Sequence, residues 1–399
     1  MNNFCNIKGI SYSELIEYAN EVANGKHQGL IPIDRHRARQ LVKNPLAANT
    51  DYALVIAFDS KNKCVGYMGL IPGVININGS NRKIAWTSTG KISKNRNASY
   101  LGMEFAKSYY DTIISTGNNE ISKRFYRRHN FNEVKINLSR NFHAFLIDPF
   151  LLSIKIITLI RLKLSKHKSE KSSSLTQKIL LTISAKYRNI LAGLIKLPSS
   201  EVIINQSSTL SREISTYLTL KRKYSFSHSN HSLEWIVNNP WFLSLPIREI
   251  YNKSEITNEN DTLSINDIEK KYAFNSLSKK IKYKVISLKD KNGEILAGLV
   301  CSFSEDNEKI ILKILDYNAS SIKAKKYLGY IIIRNFLQSN ASIFTFPKDF
   351  INDLGFLSFV LKLSIANYND YFFWSNDETF LDNIQNLSFS MLDGDSPHW

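Results

Sequence analysis

Cysteine, proline and glycine are all scarce in this chain. Three cysteines (Cys5, Cys64 and Cys301), scattered over 399 residues, exclude a disulfide scaffold and a thiolate zinc cluster. Nine prolines and 16 glycines exclude a collagenous or proline-rich chain. The start, Met1-Asn2-Asn3-Phe4-Cys5, has no basic segment followed by an apolar one, so no secretory signal is expected. The apolar run Leu151–Leu164 is interrupted by Lys155 and Arg161 and falls below the ~20 residues that span a bilayer. These absences point to a reduced, cytoplasmic protein without a metal site.

What is present is enough apolar side chain for real cores: 43% of residues are apolar and 12% aromatic. At roughly 100–200 residues per domain, the length implies two or three domains. Lys and Arg number 52 against 35 Asp and Glu, a net charge of +17. Between Leu151 and Ser200 there are ten basic residues and one acid, Glu170, so about half the excess charge sits in about an eighth of the chain.

The first 150 residues alternate helices and strands. Apolar spacing predicts helices over Ser11–Ala23, Asp34–Lys43, Tyr100–Tyr110 and Asn119–His129. Strand-like runs cover Tyr52–Phe58, Cys64–Leu70, Val74–Ile77, Lys83–Ile92 and Asp111–Ser115, the first two joined as a hairpin at Ser60–Lys63. Leu151–Leu164 and Ile179–Leu194 read as a basic helical hairpin around a polar turn ending Ser172-Ser173-Ser174. The last 200 residues repeat the early order more loosely. Strands are expected at Lys282–Leu288, Ile295–Phe303 and Lys309–Tyr317, then a helix over Ser321–Gln338 and a strand over Ser342–Pro347.

The stretch Lys83 to Phe131 is the informative one. A long strand ending at Lys91-Ile92 runs into a turn that begins a helix. A further strand is followed by Gly117-Asn118-Asn119, and then comes Phe125-Tyr126-Arg127-Arg128-His129-Asn130-Phe131. In the order of these parts, residues 5–148 resemble the GNAT N-acetyltransferase superfamily. The resemblance implies that the fourth and fifth strands splay apart, so that the amide chain of coenzyme A fills the gap as a pseudo-strand. It also implies that the pyrophosphate lies at the N-terminus of the helix after the fourth strand. The residues this assigns to acetyl-CoA, or another acyl-CoA, are Lys91, Ile92, Arg96, Asn97, Ser99, Tyr100, Gly102, Asn118, Asn119 and Phe125.

The phosphate turn departs from the superfamily's Gln/Arg-x-x-Gly-x-Gly/Ala pattern. With Arg96 at its head, Ser99 and Leu101 take the small positions; shifted by one, Gly102 is kept, but Asn97 and Tyr100 take the other two. Tyr126 matches the tyrosine that protonates the departing thiolate, and the residue type equally suits a core aromatic beside Phe125. The centre of the fourth strand, Trp86-Thr87-Ser88-Thr89, holds no acid, so no base is assigned.

A second resemblance lies further on. Leu233-Glu234-Trp235-Ile236-Val237-Asn238-Asn239-Pro240 and the ending Met391-Leu392-Asp393-Gly394-Asp395-Ser396-Pro397 are similar to bacterial tandem GNAT-like proteins found with surface-polysaccharide genes. That resemblance implies an amine acceptor such as an amino sugar or glycan precursor. Other groups read two ways. His228 and His231 form a polar loop or a weak metal site, and Asp393 and Asp395 an acid pair or a solvated turn. Arg35, His36, Arg37 and Arg39 form a solvated basic face or the border of an anionic ligand.

The fold expected is α/β (α+β). Two GNAT-like domains, at residues 1–150 and 201–399, each have a mixed, mostly antiparallel sheet flanked by helices, and a basic helical linker, 151–200, joins them. The second domain, without a glycine-rich turn, is expected to be degenerate. The function expected is N-acyl transfer from coenzyme A to an amine. The alternative is a catalytically degenerate binding or scaffold protein at the membrane face of an envelope-building complex. The linker charges suit peripheral contact with an anionic inner-membrane surface; nucleic acid is not expected, since stacking aromatics are not interleaved with them.

Overall fold

The computed structural model describes residues 6–30, 32–77, 80–91, 96–116, 120–164, 175–197, 202–219, 230–239, 280–306, 309–377 and 380–381. In chain order, the elements of the first half are β1 (Asn6–Ser11), α1 (Leu15–Ala23), β2 (Gln28–Gly29), α2 (Arg35–Leu41), β3 (Tyr52–Phe58), β4 (Lys63–Ile77), β5 (Ser80–Lys91), α3 (Arg96–Tyr109), β6 (Thr112–Thr116), α4 (Glu120–Arg128) and β7 (Asn132–His143). There follow α5 (Pro149–Leu164), α6 (Leu175–Leu194), β8 (Ile203–Ser207), α7 (Arg212–Thr219) and α8 (Asn230–Asn238). The remaining described elements are β9 (Lys280–Lys289), β10 (Ile295–Asp306), β11 (Lys309–Ala319), α9 (Ile322–Gln338), β12 (Ile343–Pro347), α10 (Phe356–Leu361) and β13 (Ile365–Ser375).

These form two compact units, and neither is a single stretch of chain. The first draws on Met1–Leu138, Thr209–Ile281 and Tyr368–Trp399, the second on Ser139–Ser208 and Lys282–Asn367. The expected sequential division at 150 and 200 is therefore replaced by an interleaved one. Residues 209–219 and 230–239 belong with the first unit, and α5 and α6 with the second.

In the first unit the strand order is β1-β3-β4-β5-β6-β13. The pairings along it are antiparallel except β5–β6, and β2 adds a short parallel pairing to β4. β3 is apolar and buried along almost its whole length, as a strand covered on both faces must be. Its turn into β4 is made by Asp59, whose carboxylate accepts from the amides of Lys61 and Lys63, with Asn62 at φ +56°. The two runs expected on either side of Pro72-Gly73 are one strand, β4. Asn44 Nδ2 donates to the Pro72 carbonyl at 3.0 Å, and the β4–β5 register passes through the proline unbroken. Val55, Leu70, Ala85, Met103, Ala106 and Ile113 form the core between this sheet and α3.

The second unit repeats the plan as β12-β11-β10-β9-β8, with β11–β12 parallel and the other pairings antiparallel. Asp290 makes its β9–β10 turn just as Asp59 does, accepting from Asn292 and Glu294, with Gly293 at φ +87°. Leu328, Ile332 and Phe336 of α9 pack on Leu299, Ile314 and Phe344. The mixed, mostly antiparallel sheet flanked by helices is thus present in both units. A strand exchange accompanies it. Beside β6 runs the end of the chain's last strand, Tyr371–Ser375, and beside β12 runs Ser139–His143 of β7.

Candidate active site

The site grows from the shape of β5. Its side chains alternate: Ala85 enters the core under α3, while Trp86 meets Tyr371 edge-on at 6.3 Å. The β4–β5 register runs Gly69↔Ser88 and then Met68↔Gly90, which leaves Thr89 as a bulged extra residue. A bulge bends the strand that carries it and increases its local twist.

On that other side the parallel ladder to β6 has two rungs, Ala85↔Ile113 and Trp86↔Ile114, and ends there. β5 runs on to Lys91 and β6 to Thr116. The two strands therefore part within their own length, as the resemblance implies.

Hydroxyls gather where they part. Thr87 Oγ1 donates to Ser115 Oγ at 2.5 Å and lies 3.2 Å from the Tyr126 hydroxyl. Thr87 and Ser115 are buried. Tyr126, on α4, is half-buried, its ring held by Phe131 at 5.2 Å and Phe372 at 5.3 Å. The ring is packed, and the hydroxyl meets the Thr87 hydroxyl near the end of the ladder. Phe125 packs against the same core as Tyr126, with its ring 4.5 Å from His129 and 5.4 Å from Tyr126.

The remaining expected residues divide. Lys91 is exposed at the end of β5, paired with Tyr67. α3 begins at Arg96, so Arg96 and Asn97 supply first-turn amides, which no carbonyl within the helix can accept from, while Ser99 stands where the helix's own bonding begins. Tyr100 and Gly102 lie past that turn, inside the helix. Tyr100 is exposed and stacks on His129 at 5.4 Å. Gly102 sits over Val55, with room for a Cβ at 3.8 Å. The helix was expected to start at Tyr100, because Asn, Arg and Ser before it carry no apolar period. Ile92, Asn118, Asn119, His228, Asp393 and Asp395 lie outside the described residues.

Several members of the site were not singled out from sequence. Thr87 and Ser115 were unremarkable strand hydroxyls; two hydroxyls on strands otherwise built of buried apolar residues were the available signal. On the opposite face of β5, Arg37 is buried rather than part of a solvated face, and its guanidinium donates to the Ser88 hydroxyl. Arg39 is exposed, and Arg35 bonds Asn24 Oδ1 at 3.0 Å. Trp235 of α8 donates its indole N–H to the Gln40 carbonyl at 2.8 Å, which fastens α8 to α2.

His129 is buried at the end of α4. Its Nδ1 lies 3.7 Å from Glu104 Oε1, and Lys107 donates to its carbonyl at 2.8 Å. Burial, with the Lys107 charge second, holds the imidazole below its ordinary pKa. Burial also pushes the Cys64 thiol up to about 11 and the Cys301 thiol up to about 12, which removes both as nucleophiles near neutral pH.

No family model matches the chain, and no curated protein sequence matches it. Among solved structures it is similar to a GCN5-related N-acetyltransferase from Anabaena variabilis, with 8% identity over 94% of this chain and 73% of the other and a TM-score of 0.44. It is similar also to a conserved Enterococcus faecalis protein, a probable N-acyltransferase, with 8% identity, 93% and 72% covered and a TM-score of 0.44. Saccharomyces cerevisiae N-myristoyltransferase with bound myristoyl-CoA gives 9% identity, 94% and 83% covered and a TM-score of 0.46. These likenesses are too distant to bear on activity, and a functional reading rests on the parted strands and the hydroxyls between them.

Proposed function

We propose that the first unit is an N-acyltransferase that moves an acyl group from a coenzyme A thioester to an amine. The observation that carries this reading is the two-rung β5–β6 ladder with Thr87, Ser115 and Tyr126 at its end. Parted parallel strands suit an extended chain of amides, which can bond to strand edges as another strand would. The first-turn amides of α3 suit a diphosphate, because they are donors at the positive end of a helix. Lys91 adds a cation at the end of β5.

The thioester supplies an activated acyl group. Attack by a neutral amine forms the C–N bond and breaks the C–S bond, and the amine's extra proton leaves to water. Tyr126 donates its hydroxyl proton to the departing sulfur and is reprotonated from solvent. Thr87 holds the phenol in place, and amides of β5 beyond Trp86 polarise the carbonyl oxygen. The acceptor class we favour, an amino sugar or glycan precursor of surface polysaccharide, rests on the resemblance around Trp235. We assign the reaction to the cytoplasmic side of the membrane and give the second unit a non-catalytic role.

Thermal unfolding with acetyl-CoA tests the reading, with adenosine diphosphate and sulfate as anion controls. A ligand at a hundredfold excess over its dissociation constant stabilises by about 2.7 kcal/mol, so a specific rise in Tm is the expected result. No rise with acetyl-CoA or with a long-chain acyl-CoA overturns it and leaves the scaffold reading.

A further inference from the structure

Helix α6 is built inside out. The face it turns into the second unit carries Ser184, Arg188 and Ala192, all buried. Arg188 is 1% exposed; its guanidinium donates to the Phe336 carbonyl at 2.6 Å and lies over the Phe336 ring at 4.9 Å. Ser184 donates to Asp148 Oδ2 at 2.6 Å. Polar and small residues of this helix are therefore packed beside Leu191, through hydrogen bonds that offset part of the cost of burying them.

Four of its large apolar residues face the other way. Ile179, Ile183, Ile190 and Leu194 are all exposed, Ile190 at 65% and Leu194 at 72%. At 3.6 residues per turn these four fall within roughly 60° of arc, on the side away from Arg188. α5 adds Leu152 and Ile156, also exposed and one turn apart. The stripe lies opposite the face that packs Ser184, Arg188 and Ala192, although Leu181 on that face is itself exposed.

Charge identifies what the stripe faces. Lys155 on α5, Lys178 and Lys186 on α6, and Lys196 just beyond it are exposed around the apolar residues, and neither helix contains an acid. Exposed apolar residues ringed by lysines fit an anionic lipid surface, where the aliphatic groups enter the acyl boundary and the ammonium groups meet phosphates. A second copy of the chain would bring like charge against like charge. No helix among the described residues is long and apolar enough to cross a membrane, so contact is along the surface.

We infer that the α5–α6 hairpin docks this protein, lying flat, on an anionic membrane surface. This goes beyond the acyl-transfer reading and stands on different residues. The test is vesicle flotation of the full chain, with vesicles of phosphatidylcholine alone and of phosphatidylcholine with an equal part of phosphatidylglycerol. Binding is expected to the mixed vesicles only, and its loss at about 1 M salt, where the screening length is ~3 Å. Lys178→Gln with Lys186→Gln should weaken binding by roughly fivefold per lysine. Ile183→Ser with Ile190→Ser should weaken it at least as much with only a small change in Tm, because both side chains are exposed, Ile183 at 39%. Equal binding to both vesicles, or binding to neither, overturns the inference. So does a dimer in sedimentation velocity that the Ile183→Ser, Ile190→Ser chain cannot form, which would assign the stripe to self-association.

Discussion

The two units use one device to part a pair of parallel strands and then treat the opening differently. In the first, a bulge at Thr89 follows a β5–β6 ladder of two rungs; in the second, Leu315 is the bulged residue, and the β11–β12 ladder has three, Ile311↔Ile343 to Lys313↔Thr345. Beyond its ladder, β11 is tied down by the chain that follows β12. Tyr317 donates to Asp349 Oδ2 at 2.8 Å and packs edge-on against Phe350 at 4.9 Å, while Lys325 of α9 donates to the Asp349 carbonyl at 2.9 Å. Ser321 caps α9 with its own hydroxyl, accepting from the Ala324 amide at 3.2 Å. Parted strands are thus an architectural habit of this fold and not by themselves a site. What makes the first opening a candidate is the set of hydroxyls, Thr87, Ser115 and Tyr126, near the end of its ladder.

The largest expected effect separates the two tyrosines. Tyr126→Phe should lower turnover in acyl transfer by about a hundredfold or more with KM little changed, the usual range for a general acid. Tyr317→Phe should leave turnover where it was. Equal rates for wild type and Tyr126→Phe would remove the acid and reduce the first opening to the status of the second.

The glycines of the two covering helices give the next contrast. A Cβ on Gly329 of α9 would stand 2.6 Å from Leu354 Cδ2, so Gly329→Ala should destabilise by about 1–3 kcal/mol in chemical unfolding. A Cβ on Gly102 of α3 meets only Val55 at 3.8 Å, and Gly102→Ala should stabilise by about 0.5–1 kcal/mol through helix propensity. Because Gly102 lies past the first turn, the Tm rise with acetyl-CoA should survive that substitution. Its loss would show that the second turn also contacts the ligand.

Smallest is a pH effect confined to the first unit. The His129 imidazole is held below its ordinary value of 6.5, so the unfolded chain takes up a proton that the folded chain resists. The contribution is present above the ordinary imidazole range and is lost as the pH falls through it. Tm should drop over that interval, and His129→Gln should flatten the drop. An unchanged slope would mean that other groups carry it.

Much of the layout was legible from local pattern. The Asp59 and Asp290 turns, the apolar strands and the periodic helices are set by neighbours within a few residues, where side-chain period and turn chemistry act directly. Tyr126 was legible because it sits in a recognisable run from Phe125 to Phe131. Thr87 and Ser115 were not, since they are 28 residues apart and meet only when β5 and β6 pair. α6 was legible only in part. Its period showed in the sequence, but which face packs did not, because Asp148 and the Phe336 carbonyl give Ser184 and Arg188 buried partners that only the folded chain supplies.

By itself, then, the sequence determined the mixed α/β class, the doubling of the plan, the concentration of positive charge in residues 151–200 and the placing of a Phe-Tyr helix after the fifth strand of that plan. Each depends on composition or on spacing along one element. Tertiary structure alone decided which strand ends are exchanged between the halves, where the parallel ladders stop, which hydroxyls meet Tyr126 and which face of α6 is left to solvent. Those depend on contacts between residues far apart in the chain, whose energies no local period encodes.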